Sequence, residues 1–322
     1  MNTQNVAPVL FTVFNRPETT VRVFAAIREA RPQQLFIAAD APRSGRPDES
    51  ERCEQVREIV SRVDWPCDVQ YRLRTENLGC KRAMIDAITW MLWNVEYGII
   101  LEDDCLPDPT FFQFTTELLE RYKDEPRVMC VSGNTIIRPQ RSGDSYRFSS
   151  FPLIWGWATW RRAWDHYDPT LAGWDDFDAE HWMDSVPGLS TRAREWKNTM
   201  LKVQAGLDTW DYQWIFSCWT NGGVVAVPNV TLISNIGFGT GATHTTGPSP
   251  HANLPLAPMR FPLVHPRFVL PDPIADVRLQ SAMFPRRPLV ERALRKVMRA
   301  LMSSAQQRLG RTQRPAIRQH DA

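Results

Sequence analysis

The sequence predicts an α/β fold with a mixed but mainly parallel central sheet. As far as residue 135, apolar segments of strand length alternate with segments that have helical spacing. Strands that are separated by whole helices pair in parallel through right-handed crossovers. The composition is ordinary for a globular protein, since 43% of the 322 residues are hydrophobic and 23% are charged.

Each element of the first half follows from its local pattern. The first strand is an apolar run that ends at Asn15-Arg16-Pro17, and the third strand shows a period-2 alternation. The helices between the strands have the length that parallel pairing requires. We predict strands at 8–14, 34–39, 68–73, 98–101 and 128–132, with helices at 18–30, 49–62, 79–95 and 109–123.

The second half of the chain is less regular. Residues 136–149 are predicted to be a basic loop, and residues 235–253 a mobile loop over a site, because they are rich in Gly, Thr, Ser and His. Gly222-Gly223 is expected to end an amphipathic helix in the segment before it. We predict a strand and then a helix in 151–164, helices at 191–203 and 209–221, and a short strand at 224–227. The predicted division is a domain at 1–275, with halves at 1–134 and 135–275, followed by a helix and tail at 276–322.

Several features of the sequence exclude classes of function or predict a location. A net charge of +2 does not suggest nucleic-acid binding, and the six cysteines show no CxxC pair, which favours reduced thiols in a cytoplasmic protein. The N-terminus lacks a basic n-region, so no signal peptide is expected, and no window reaches the length of a transmembrane helix.

The segment from Pro288 onward is predicted to be an amphipathic helix, with apolar residues on one side and basic residues on the other. That pattern is typical of a helix on an anionic membrane surface, or of one packed on the protein's own body.

The most informative segment is the acidic triplet Glu102-Asp103-Asp104. It directly follows an apolar strand and precedes the turn at Leu106-Pro107. Three like charges at the end of a buried strand are costly without a counter-charge. A divalent cation, Mn²⁺ or Mg²⁺, that also binds the phosphates of a substrate would supply it, because these ions prefer one or two carboxylates plus phosphate oxygens. The alternative is an acidic turn that caps the helix near Pro109.

Other polar residues are predicted to join the triplet at one edge of the sheet. In parallel sheets, ligands bind beyond the carboxyl ends of the strands. Those ends carry Asn15 and Arg16, Asp40, and the Glu76-Asn77 turn. No GxGxxG and no GxxxxGK[ST] is present, so the dinucleotide and P-loop fingerprints are missing. Thirteen tryptophans, most of them between Trp155 and Trp219, suit either a sugar-binding cleft or a core.

This ordered set of motifs resembles the GT-A glycosyltransferases, whose fold is Rossmann-like. Residues 100–112, ILEDDCLPDPTFF, are similar to the Glu-Asp-Asp motif and following helix of N-acetylglucosaminyltransferase I. The segments VMCVSGN at 128–134, FPLIWGW at 151–157 and TWDYQW at 209–214 are similar to that family in order and spacing. The resemblance spans roughly residues 8–244. It implies a metal-dependent transfer of a sugar, such as N-acetylglucosamine, from a UDP-sugar to an acceptor hydroxyl with inversion.

The resemblance also implies roles for single residues. Asp104 would bind Mn²⁺ at the diphosphate, Glu102 and Asp103 would face the sugar and ribose, and Asp40 would read the uracil. Arg16 would contact the diphosphate or nucleoside, and Asp211 would be the general base. Lys81 and Arg82 are candidates for phosphate contact or for a solvated helix face, and His244 for phosphate or metal contact or for an ordinary loop residue.

The chain departs from this family in one segment, and other classes of protein remain open. TENLGCKR at 75–82 looks more like bacterial family 2 glycosyltransferases, which leaves the donor sugar and the acceptor, a carbohydrate or lipid-linked saccharide, undetermined. A nucleotidyltransferase that forms sugar nucleotides shares the alternating plan but normally has a Gly-rich basic loop after the first strand. A metal-dependent phosphohydrolase would need more His and a second acidic cluster. A non-catalytic sugar-binding protein would not need the triplet.

Overall fold

The computed structural model describes residues 5–137, 143–238 and 250–285. Its contacts group Met1–Ala282 into one unit and Met283–Ala322 into another. The boundaries predicted after residues 134 and 275 stay predictions. No helix among the described residues is long and apolar enough to cross a membrane.

The helices and strands are numbered in chain order. The strands are β1 (Val9–Val13), β2 (Gln34–Ala39), β3 (Asp68–Leu73), β4 (Tyr97–Glu102), β5 (Cys105–Pro107), β6 (Val128–Ser132), β7 (Tyr146–Ser149), β8 (Trp157–Trp160), β9 (Val224–Pro228) and β10 (Ile233–Asn235). The α-helices are α1 (Pro17–Ala30), α2 (Pro47–Val60), α3 (Gly79–Asn94), α4 (Thr110–Arg121), α5 (Arg161–Trp164), α6 (Trp174–Ala179), α7 (Ala193–Gln204), α8 (Asp211–Thr220) and α9 (Pro273–Met283).

An eight-stranded sheet in the order β3-β2-β1-β4-β8-β6-β9-β7 lies at the centre of the described structure. β3, β2, β1 and β4 are all parallel, and β6 is parallel to β9. β8 is antiparallel to both β4 and β6, and β7 is antiparallel to β9. The predicted α/β fold with a mixed, mainly parallel sheet is therefore confirmed.

The burial of the apolar residues explains why the strands and helices of the first half could be predicted from the sequence. All five residues of β1 are buried, as expected for a strand that is covered on both faces of a parallel sheet. In α1, the residues that face the sheet recur at helical spacing, and Pro17 occupies its first turn, where no backbone N–H is needed. The buried residues of α1 are Thr20, Val23, Phe24 and Ile27.

Several short elements differ from the predictions. β7 lies within residues 136–149, which were predicted to be a loop, because the alternating YRFS segment pairs with β9 and is buried throughout. β5 and β10 have three residues each and pair with one another, so neither shows a pattern of its own. α9 spans residues on both sides of position 275, and the domain boundary predicted there stays a prediction.

Candidate functional site

A cleft of ≈ 640 Å³ lies where β1, β2 and β4 end. Seven of the residues predicted from the sequence line it together: Arg16, Asp40, Asn77, Glu102, Asp103, Asp104 and Asp211. Asn15, Lys81 and Arg82 do not line it. The ammonium of Lys81 donates instead to the carbonyl oxygen of Pro169 at 2.7 Å. His244 and most of the predicted mobile loop lie outside the described residues.

The acidic triplet is a strand end followed by a tight turn. β4 ends at Glu102, and Asp103 and Asp104 form the turn that leads into β5. The backbone N–H of Phe14 donates to Asp103 Oδ2 at 3.1 Å, which fixes the turn against the end of β1. Asp103 is only 7% exposed, and both it and Asp104 line the cleft.

Arg16 supplies a counter-charge to this turn. Its Nη1 lies 2.6 Å from Asp104 Oδ2 and 3.6 Å from Asp103 Oδ1. From the sequence, a divalent cation was expected to supply the counter-charge, and Arg16 contributes one from the chain itself. Arg16 is 88 positions away along the chain and reaches the triplet because β1 and β4 are neighbours.

Burial and repulsion from neighbouring charges favour the protonated forms of Asp103 and Glu102. The pKa of Asp103 is raised to about 7, first by burial and then by the charge of Asp104, while Arg16 and the Phe14 N–H act in the opposite direction. The pKa of Glu102 is raised well above its ordinary value by burial and by Asp104, Asp103 and Asp211. Asp211 therefore lies close enough to Glu102 for their charges to interact.

The donor set fits a metal that arrives together with a phosphorylated ligand. Among the described residues, no group of three or more His, Cys, Asp or Glu side chains is arranged to hold a metal ion. Mg²⁺ and Mn²⁺, however, are commonly bound through one or two carboxylates plus the phosphates of a substrate. Asp104 offers one such carboxylate beside the cleft. The chemistry of the turn thus suits a cation carried by a nucleotide rather than an all-protein metal site.

The backbone after β10 closes over Asp104. The N–H of Ile236 donates to the carbonyl oxygen of Asp104 at 2.8 Å. A Cβ atom at Gly237 would lie 2.2 Å from Asp104 Oδ2, so only glycine permits this approach. Asn235 and Phe238 also line the cleft, directly before the residues that the structure does not describe. This segment was predicted only as the start of a loop.

The carboxylate of Asp40 holds the turn that precedes α3. Oδ1 accepts hydrogen bonds from the N–H groups of Ala41 and Leu78, and Oδ2 accepts from Gly79 N–H and the Asn77 amide, all within 3.2 Å. Burial raises the pKa of Asp40, and these backbone donors oppose that shift. Both oxygens are thus engaged by the chain's own donors, which favours a positioning role for Asp40. The uracil contact stays a prediction.

The next two N–H groups of α3 are capped from a distant segment. Asp208 Oδ2 accepts from Cys80 N–H at 3.0 Å, and Oδ1 accepts from Lys81 N–H at 2.9 Å. Together, Asp40 and Asp208 occupy the N–H groups of four consecutive residues at the start of this helix. Asp208 was missed because its partners are 127 and 128 positions away.

Asp211 is the first residue of α8 and lines the same cleft. The hydroxyl of Thr209 donates to Asp211 Oδ1. The rings of Trp210 and Trp214 both pack against Trp157, with centroids 5.5 and 5.7 Å away. Trp157 and Trp214 are core residues that anchor the segment carrying Asp211, whereas Trp210, although only 2% exposed, lines the cleft. Trp155 and Tyr212 also line the cleft.

Three arginines in the cleft were not identified from the sequence. Arg72 and Arg74 lie at the end of β3, and both form ion pairs with Asp86. Arg43 pairs with Glu49 and lies over the Phe14 ring, 5.9 Å from its centroid. Residues two apart in a strand lie on the same face of the sheet. The DVQYRLR segment therefore did indicate that Arg72 and Arg74 lie side by side at the end of β3.

Comparisons with known proteins give partial structural likeness only. No model of a known protein family matches the chain, and no curated protein matches it. The chain is similar to apo UDP-glucose pyrophosphorylase, with 9% identity, a TM-score of 0.36, and coverage of 68% of this chain and 90% of that one.

Two further solved structures are similar to the same degree. One is the inositol-1-phosphate CTP transferase from T. maritima, with 9% identity, a TM-score of 0.35, and coverage of 70% of this chain and 86% of that one. The other is 4-diphosphocytidyl-2C-methyl-D-erythritol synthase from Anaerococcus prevotii, with 8% identity, a TM-score of 0.31, and coverage of 52% and 76%. None of the three is named as a glycosyltransferase. At such scores the likeness supports no assignment of function, and the resemblance to N-acetylglucosaminyltransferase I stays a prediction.

Proposed function

We propose that this protein is a metal-dependent glycosyltransferase, which moves a sugar from a nucleoside-diphosphate sugar to an acceptor hydroxyl. One observation carries the proposal: a single cleft holds the acidic turn Glu102-Asp103-Asp104, its counter-charge Arg16, and Asp211. A transfer of this kind needs a site for the leaving diphosphate and a base for the incoming hydroxyl, and these residues would supply both.

The diphosphate side is formed by Arg16 and Asp104. A bound Mn²⁺ or Mg²⁺ would neutralise negative charge as the diphosphate leaves. Arg16 presents a planar fork of donors that suits phosphate oxygens, and it is already held at this position by Asp104 at 2.6 Å. If a cation bound to Asp104 in its place, Arg16 would be available to bind the phosphates.

The acceptor side is formed by Asp211 and the aromatic residues near it. Asp211 lies at the start of α8, where the backbone N–H groups favour its ionised form. An ionised carboxylate is the form that accepts a proton. The ring of Trp155, which packs edge-on against Phe238 with centroids 5.7 Å apart, offers an apolar face for the C–H groups of a sugar.

A test of the base is the change Asp211→Asn. It keeps the size of the side chain but cannot accept the proton, so turnover should fall by about 10²-fold or more while donor binding stays near normal. Thr209→Val is the matched variant, because it removes only the hydrogen bond to Asp211, and its effect should be smaller. Wild-type turnover in Asp211→Asn, or a product that keeps the anomeric configuration of the donor, would contradict the assignment.

A sugar-nucleotide-forming nucleotidyltransferase is the second candidate. The arginines that line the cleft, Arg16, Arg43, Arg72 and Arg74, favour it, because they suit a triphosphate. Against it, the turn after β1 is Asn15-Arg16-Pro17, which lacks the Gly-rich basic loop expected at that place.

One assay separates the two candidates. The protein is incubated with Mn²⁺ and either a panel of nucleoside-diphosphate sugars or a nucleoside triphosphate plus a sugar 1-phosphate. We expect nucleoside diphosphate to be released from one of the sugar nucleotides. Pyrophosphate release from the triphosphate mixture, without turnover of any sugar nucleotide, would favour the nucleotidyltransferase instead.

A further inference from the structure

The two edges of the eight-stranded sheet differ in how they are covered. At one edge, β7 is covered by the chain near residue 271: Phe148 and Pro271 form a parallel bridge, and the N–H of Asp272 donates to the carbonyl oxygen of Phe148 at 2.9 Å. At the other edge, β3 pairs with β2, and no other described segment pairs with it. An uncovered edge strand can pair with a further strand.

The free side of β3 presents backbone groups that are not used within the described structure. At the start of this strand and just after its end, the N–H groups of Asp68 and Arg74 donate towards β2, at 2.8 and 2.9 Å. Because backbone groups alternate in direction along a strand, Val69, Tyr71 and Leu73 point their N–H and C=O groups away from β2. Among the described residues, no hydrogen bond reaches those groups. They have the geometry with which another β-strand pairs.

The side chains of β3 complement themselves when two copies of the strand run antiparallel about a two-fold axis. If Tyr71 lies opposite Tyr71 of the second copy, Val69 lies opposite Leu73, and these residues exchange hydrogen bonds through their free N–H and C=O groups. The side chains of Tyr71 and Leu73 are 44% and 45% exposed. The register therefore covers exposed apolar surface on this face of the strand, and such cross-strand pairs stabilise a sheet.

The charges on the other face of β3 match in the same register. Asp68 lies opposite Arg74 of the second copy, once on each side of the axis. Asp68 is exposed and forms no ion pair with a described residue. Arg72 and Arg74 both pair with one carboxylate, that of Asp86, so the two cations share a single acid. Opposite charges that face each other across two strands stabilise the pairing.

We propose that two copies of this chain associate through β3 and join their sheets across a two-fold axis. An extended peptide of another protein could use the same backbone groups, but the match of Asp68 with Arg74 and of Val69 with Leu73 favours a second copy. Arg74 also lines the cleft, so Asp68 of the second copy would lie beside a cleft residue. The inference goes beyond the proposed function, because it does not depend on what the cleft binds.

Analytical ultracentrifugation of the full chain tests the association. The wild type should be a dimer that dissociates on dilution. Asp68→Arg should weaken the dimer at least about tenfold, because it places like charges opposite each other twice, and Arg74→Glu should do the same. Mixing the two variants should restore the dimer, since each pair in the mixed dimer is again of opposite charge. Asp165→Arg, the same change at an exposed acid outside β3, is the control and should associate like the wild type.

Hydrogen exchange in the wild type gives a second test that requires no substitution. The N–H groups of Val69, Tyr71 and Leu73 should be protected in the dimer and exchange faster on dilution, whereas those of Gln70 and Arg72, which point towards β2, should stay protected. A monomeric wild type would overturn the proposal. So would a dimer that Asp68→Arg and Arg74→Glu leave unchanged, or one in which exchange of the three outward N–H groups does not depend on protein concentration.

Discussion

At the scale of single residues, Arg16 is the protein's own cation at the acidic turn. It contacts Asp104 and Asp103, and its pKa is raised by those two carboxylates although burial opposes the shift. A divalent cation bound at Asp104 would have to displace the guanidinium from Oδ2. Arg16 therefore stabilises the triplet but would also compete with a metal ion for Asp104.

We predict that Arg16→Met strengthens the binding of Mn²⁺ alone. The change keeps an unbranched side chain but removes the competing charge, so the dissociation constant should fall by about tenfold, which corresponds to about 1.4 kcal/mol. Electron paramagnetic resonance of free Mn²⁺ during a titration measures this directly. Arg43→Met is the control, because Arg43 lines the same cleft but pairs with Glu49. Unchanged or weaker binding in Arg16→Met would show that Arg16 does not compete with the metal.

At the scale of elements, α3 connects two segments that line the cleft. Its first N–H groups are satisfied by Asp40 from the sheet side and by Asp208 from the segment before α8. Unsatisfied N–H groups at the start of a helix are costly, so these two carboxylates hold the helix and both segments together. The start of α3 is consequently not an open phosphate site.

Removing the distant cap should therefore destabilise the protein. We expect Asp208→Ala to lower the free energy of unfolding by about 1 kcal/mol, the usual cost of losing a capping side chain, and Asp208→Asn to cost less because one acceptor remains. Urea denaturation gives the free energies, and hydrogen exchange at Cys80 and Lys81 should accelerate. Asp165→Ala, an exposed acid outside the cleft, is the control. If Asp208→Ala has the same free energy of unfolding as that control, the cap does not contribute to the stability of the protein.

At the scale of the whole molecule, long-range contacts decide what could be predicted from sequence. β2, β3 and β6 were predicted to the residue, because apolar runs and alternation are local properties. The cleft was predicted from the rule that strand ends meet at one edge of a parallel sheet. The contact between Arg16 and Asp104 and the capping of α3 by Asp208 could not be predicted, because each joins residues that no local pattern connects.

The buried carboxyl group of Asp276 should make the stability of the fold depend on pH. Burial raises its pKa to about 6, from an ordinary value of 3.8. A raised carboxyl pKa gives stability that is fully present below about pH 4 and is lost as the pH rises through about 6. Relative to Asp276→Asn, the wild type should lose up to about 3 kcal/mol over that interval. Urea denaturation at several pH values measures the difference, and a constant difference would contradict the prediction.

We propose that the acidic turn Glu102-Asp103-Asp104 binds a nucleotide through a metal ion. Isothermal titration calorimetry of UDP, with Mn²⁺ and with EDTA, tests it most directly in the wild type, in Asp104→Asn and in the control Asp165→Asn. We predict binding by the wild type and the control that requires Mn²⁺, and a loss of at least about tenfold in affinity in Asp104→Asn with the fold intact. UDP affinity that is the same in all three proteins, or the same with EDTA as with Mn²⁺, would show that the acidic turn does not bind UDP through a metal ion.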